Sequence, residues 1–198
     1  MKTGVCEHAR MPQARLLFLV CLACALLTGC GSSTTPPLPS GPAPPQKAPL
    51  AWVEHYPAQG PALVFSAQGF EVTPTGWRAQ IGLENDTATT WSLVESPTTS
   101  FGVMLFTSDE VGEVEARSRD SDLPGLRAAR SFEPPLPGTL PPGRSWHGTI
   151  AAPGRLAAGL YARIVFGQLV AEGDAPDGLP RQFSWITDNA YALRGAAG

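Results

Sequence analysis

From Leu50 onward the chain is a series of short apolar runs separated by Gly, Pro, Asn and Asp. Residues 77–83 alternate between apolar (Trp77, Ala79, Ile81, Leu83) and polar or small positions. That period of two predicts a strand with one buried face. Asn85-Asp86 signals a turn, and residues 89–94 resume an apolar-polar pattern, which predicts a hairpin partner. Leu63-Val64-Phe65 and Phe70-Glu71-Val72 predict two earlier strands. Residues 101–106 are apolar on both faces and predict a central strand. Residues 145–150 follow the Pro141-Pro142-Gly143 turn and read as another strand. Residues 160–166 form the strongest strand pattern, and residues 183–186 the last. No long stretch carries an apolar stripe at helical spacing. About seven to nine short strands with regular turn signals predict an all-β fold, a β-sandwich.

The first part of the chain has a different pattern. Residues 16–27 are continuously apolar and follow Arg10 and Arg15. A basic start, an apolar run of about 7–15 residues and small residues at its end make an export signal. The run falls short of the ~20 residues a spanning helix needs. Met11 offers a second start, because residues 11–15 already supply the basic region. The run ends in Leu27-Thr28-Gly29-Cys30, which resembles the lipobox of bacterial lipoproteins. The resemblance implies that a diacylglycerol is attached to the Cys30 thiol and that cleavage makes Cys30 the first mature residue. Leu27, Thr28 and Gly29 match the recognition positions before the cysteine. Two or more acyl chains give stable anchoring where one does not, at about 0.8 kcal/mol per buried methylene. Residues 1–29 are thus a signal peptide. The implied location is the extracytoplasmic face of a membrane.

Residues 30–49 read as the lipidated cysteine and a Pro-rich linker. Proline lacks an amide donor and fixes φ, so residues 31–49 are expected to be an extended stalk reaching at most roughly 60 Å. The folded domain is expected at residues 50–198. Of the four cysteines, Cys6, Cys21 and Cys24 lie in the removed segment, so the mature chain has no internal disulfide.

Composition narrows the function. The 198-residue chain carries a net charge of −3. Removing residues 1–29 takes away Lys2, Arg10 and Arg15 against Glu7, leaving −5. Without a basic patch for phosphates, nucleic-acid binding is not expected. The hydrophobic content of 43% is enough to build one core.

Candidate chemistry is sparse. After the signal only His55 and His147 remain. Ser145 and His147 share a strand face, but there is no nucleophile elbow or third member to orient the imidazole. Two separated histidines make no zinc motif. Asp109, Glu110, Glu113, Glu115, Asp120 and Asp122 are a conceivable calcium cluster. The alternation of Glu113, Glu115, Arg117 and Arg119 with Val114, Ala116 and Ser118 instead reads as a solvated strand face. No glycine-rich phosphate loop is present. The glycosylation-type triplet Asn85-Asp86-Thr87 reads as a turn. No catalytic residue, metal site or cofactor is expected.

Residues 118–143 form a long connection rich in Pro and Gly, a kind that is often functional. Arg127, Arg130 and Phe132 are its candidate partner contacts, and residues 134–143 its candidate for a rigid, protruding, inhibitor-like loop; the alternative is a Pro-stiffened crossover between sheets with a short edge strand near Phe132. The runs 76–94 and 140–166 resemble immunoglobulin-like modules of bacterial surface lipoproteins. The usual cysteine pair between the sheets is missing, and Trp77, Trp91 and Trp146 are expected to fill that space. The resemblance implies a binding or structural module. The expected function is a membrane-anchored protein-interaction or envelope scaffold module. Its alternative is a ligand-binding or protease-inhibitor-like module. The partner is an envelope protein or wall polymer, and the protein is not an enzyme.

Overall fold

A computed structural model of the chain describes residues 41–93, 100–110 and 112–195. The expected signal, the lipobox and residues 31–40 lie outside them. The described chain is predominantly β, in two antiparallel sheets. The first sheet has the order β1-β2-β3-β9-β7. Its members are β1 (Gln46–Tyr56), β2 (Leu63–Val72), β3 (Gly76–Asn85), β7 (Ser131–Glu133) and β9 (Ser145–Pro153).

The second sheet is built around β10 (Tyr161–Ala171). Strands β4 (Trp91–Ser92) and β5 (Gly102–Phe106) line one side of it, at successive positions along its length. Strands β11 (Gln182–Ile186) and β12 (Tyr191–Ala192) line the other. Outside them, β6 (Arg127–Ala128) pairs with β5, and β8 (Thr139–Leu140) with β4. The twelve described strands exceed the expected seven to nine, and four of them span only two residues.

The sheets meet over an apolar core. Leu63, Phe65 and Ala67 from β2 face inward together with Trp77, Ala79, Ile81 and Leu83 from β3. Ala162, Ile164 and Phe166 of β10 oppose them. Rings interlock across the interface: Phe65 meets Phe166 edge-on at 5.1 Å, and Phe101 meets Phe166 at 6.3 Å. Edge-to-face pairs of this kind add to the burial of apolar area. Trp77, Trp91 and Trp146 are all buried, as expected.

Four local expectations need correction. The two early strands are one, β2. An irregularity between Ala67 and Gly69 moves the inward set from odd positions (63, 65, 67) to even ones (Phe70, Val72). One extra residue breaks the alternation without ending the strand. The same device operates in β10, where the inward set passes from Phe166 to Leu169 and Ala171.

The expected hairpin at Asn85-Asp86 does not form. β3 and β4 belong to different sheets. Asn85 is fully buried, and its amide nitrogen donates to the carbonyls of Thr89 and Leu140, each at 2.8 Å. Its Oδ1 accepts from the Thr87 backbone N–H at 3.0 Å and the Thr87 hydroxyl at 2.6 Å. These bonds stitch the crossing from one sheet to the other, in place of a ladder.

The charged run expected as a strand face is a helix, α1 (Glu113–Arg119). Glu113 and Arg117 stand one turn apart and form an ion pair at 2.9 Å. Acidic residues in the first turn and basic ones in the last suit the helix dipole. Alternation in so short a run is compatible with either period, and the i,i+4 pair decides it.

The linker also ends earlier than expected, and the fold begins before Leu50. Pro42 bridges to Ala157, Ala43 is buried, and β1 begins at Gln46. Pro49 is tolerated because β1 lies at the sheet edge, where a missing donor is absorbed. Among the described residues no helix is long and apolar enough to cross a membrane.

Candidate functional site

The outward face of the second sheet carries a groove of about 630 Å³. Its floor is formed by Met104 of β5, Val165 and Gln168 of β10, and Ser184 and Ile186 of β11. One wall is α1, through Val114, Glu115 and Ser118, and the chain after it adds Leu123 and Leu126. Asp188 lies among the lining groups as well. The floor mixes apolar side chains (Met104, Val165, Ile186) with polar ones (Gln168, Ser184), all on the side of these strands that turns away from the core. Leu123 remains 37% exposed, one of few large apolar side chains that are.

Two constructions hold the wall in place. Arg117 donates from its guanidinium to Glu113, to Asp122 Oδ2 at 3.1 Å and to Thr107 Oγ1 at 3.2 Å. This fastens α1 to the end of β5 and to the loop beyond the helix. Beneath, Arg163 is fully buried on the outward side of β10. It donates to the carbonyls of Glu110 and Thr187, each at 3.0 Å, and to that of Asp188. Its guanidinium also lies over the Phe106 ring at 5.3 Å. A buried charge needs such satisfaction, and the carbonyls it gathers come from both sides of the groove. Inward from the groove, Gly167 leaves room for the Phe101 ring, which a Cβ there would strike.

The groove is acidic at one end. Burial, then the neighbouring charge of Glu54, push the Asp188 carboxyl above its usual range; Arg163 opposes this, and Glu115 adds to it. Glu54 itself accepts from Trp185 Nε1, from the Asp188 and Asn189 backbone N–H groups and from Asn189 Nδ2.

The sequence-derived contacts fall elsewhere. Arg127 is exposed on β6 in the second sheet. Phe132 lies on β7 in the first sheet, half-buried, with its ring 5.9 Å from Phe101 and 6.5 Å from Trp146. It packs on the core from a short edge strand. Arg130 is exposed between these strands. The three do not share one strand or one sheet. Residues 134–143 do not project freely either. Leu140 is buried in β8, Trp146 Nε1 donates to the Pro135 carbonyl at 3.2 Å, and the Leu93 N–H to that of Gly138 at 2.9 Å. What residues 118–143 do supply is Leu123 and Leu126, which the pattern did not single out.

Ser145 and His147 are both exposed on β9 and lie on one face, as alternation requires. His147 Nε2 stands 3.6 Å from Glu84 Oε1, and a side chain on Gly82 would collide with both His147 and Ser66. These groups meet on an open sheet surface. Among the described residues no three His, Cys, Asp or Glu side chains gather as metal ligands. Of the acidic run, Glu113 and Asp122 pair with Arg117. On the opposite sheet Glu71 binds Arg78 at 2.7 Å, with Lys47 at 3.7 Å. The Arg78 hydrogen bond holds the Glu71 carboxyl below its usual range.

No family model, curated protein or solved structure matches this chain.

Proposed function

We propose that the chain is a lipoprotein held by Cys30 at the extracytoplasmic face of a membrane, with an immunoglobulin-like sandwich acting as a protein-interaction or envelope scaffold module. The anchor rests on Leu27-Thr28-Gly29-Cys30 at the end of the apolar run. Strand order supports the immunoglobulin type. Leaving out β1, the first sheet runs β2-β3-β9-β7, which follows the A-B-E-D order of that fold. In the second sheet, β4 with β5, then β10, then β11 with β12 follow C-F-G. Fully buried Trp91 on β4 stands where that fold keeps a tryptophan in strand C.

The observation that carries the interaction role is the groove beneath α1. Met104, Val165 and Ile186 in its floor and the exposed Leu123 suit apolar side chains, while Glu115 and Asp188 suit a flanking Arg or Lys. The occupant proposed is therefore a segment of a partner protein, apolar with at least one basic residue.

A photoreactive side chain at Leu123 in the membrane-anchored protein tests this. One recurring protein adduct, lost in Ile186→Glu, supports the reading. Diffuse adducts, or one recurring adduct that Ile186→Glu leaves intact, contradict it.

A further inference from the structure

We infer that β1 is a self-pairing edge: two copies of the chain join antiparallel through residues 50–56, with Val53 of one opposite Val53 of the other.

Among the described residues β1 pairs only with β2 and forms one edge of the first sheet. It is the longest edge in the fold, at 11 residues. The opposite edge, β7, has 3, and the second sheet is bounded by β6 and β8, of 2 residues each, and by β11 and β12, of 5 and 2. An open edge presents a row of N–H and C=O groups that can accept another strand. Burial alternates along β1, and its pairing with β2 runs in one register from Trp52 to Tyr56 after an irregularity between Pro49 and Trp52, so the face assignment around Val53 is fixed and a one-residue slip is disfavoured.

The sequence of this edge is compatible with itself. Proline blocks pairing at Pro49 and Pro57. These two residues lie four positions on either side of Val53. In an antiparallel pair centred on Val53, Pro49 of each copy falls opposite Pro57 of the other, so the ladder ends at both sides without a proline opposing a strand residue. Within the ladder His55 faces Ala51 and Glu54 faces Trp52, so no like charges oppose each other. Val53 is 58% exposed, more than any other large apolar side chain among the described residues. Self-pairing sets it against its own counterpart, a β-branched cross-strand pair. A contact in which the same patch serves both subunits is how closed dimers form. The inference is independent of the anchor and of the groove, which lies on the other sheet.

Single cysteine substitutions in the full-length protein with Cys6, Cys21, Cys24 and Cys30 changed to Ser, followed by mild oxidation and non-reducing electrophoresis, test it. Directly opposed residues have Cα atoms about 4.5–5.5 Å apart, within the disulfide range of roughly 4.4–6.8 Å. Val53→Cys should give a covalent dimer that reductant reverses and that the cysteine-free parent does not form. His55→Cys should not, because in this register the two copies of residue 55 are offset by four positions, about 13–14 Å. Dimers from both variants alike mean random collision and overturn the inference. So does a Val53→Cys protein that stays monomeric while its tryptophan emission matches the parent. A second arm uses Val53→Lys, which places two cations opposite each other. Sedimentation should show a shift from dimer to monomer with unchanged circular dichroism, and an unchanged association state overturns the inference.

Discussion

The indole Nε1–H of Trp185 donates a 2.7 Å hydrogen bond to the carboxylate of Glu54, 131 residues away. Glu54 sits on the edge strand of one sheet and Trp185 near the edge of the other. The same carboxylate accepts from Asp188 and Asn189, and eight residues earlier Gln46 accepts from the Tyr191 hydroxyl and the Arg194 N–H. Two side chains of β1 thus close one side of the sandwich. Behind them Trp185 stacks on Tyr56 at 5.0 Å and on Phe65 at 5.4 Å. Glu54→Ala removes all these acceptors at position 54. It should lower unfolding free energy by about 1–3 kcal/mol. Urea unfolding followed by tryptophan emission reads this directly.

Asn85 occupies the crossing between sheets. Replacing it with Ala leaves two buried carbonyls and the Thr87 donors without their partner. The expected loss is roughly 2–4 kcal/mol, measured as a lower urea midpoint with unchanged slope. Asn85→Asp should not rescue it, since a carboxylate offers the two carbonyls no donor.

Arg163 ties the groove floor to its wall. Arg163→Met keeps much of the volume but strips the carbonyls of Glu110, Thr187 and Asp188 of their donor. Stability should fall by about 2–4 kcal/mol. Faster amide exchange should appear in residues 107–126 and 187–190 before the rest of the sandwich.

Asp188 gives a pH signature. Burial first, then Glu54, raise its folded carboxyl above the usual value of 3.8. The folded state therefore holds this proton more tightly than the unfolded chain. The associated stability is present below pH 3.8 and is lost as pH rises through the raised folded value. Asp188→Asn should consequently be slightly more stable than the parent at neutral pH, with the difference disappearing on acidification below 3.8. Thermal melts across pH 3–7 measure it. Glu71 carries the opposite sign: Arg78 lowers its carboxyl, so its contribution is present above the usual 4.5 and is lost as pH falls through the folded value.

Much of the fold was legible where alternation ran unbroken. β3 lies where period two placed it and β9 and β10 where their apolar runs did, with Trp77 buried on β3 and Trp146 on β9. β2 was read as two pieces because one extra residue inverts its pattern. The hairpin at Asn85 was misread because turn residues do not say which sheet the chain enters next; a buried side-chain network decides that. In 113–119 the charge spacing already contained the helix, in the Glu113–Arg117 pair. The groove was not legible at all. Its lining comes from separate segments near residues 104, 115, 124, 166 and 186, brought together only by the sheet order. Phe132 was legible as important but not as inward-facing, since a three-residue strand carries too little pattern to assign a face.

The proposed anchor is Cys30. The decisive measurement is the mass of the N-terminal peptide of the protein recovered from membranes. The expected peptide begins at Cys30 and carries the added mass of a diacylglyceryl thioether, and a Cys30→Ser protein should be absent from that fraction in mature form. A mature N-terminus at another residue, or an unmodified Cys30 thiol in a protein released without detergent, would contradict it.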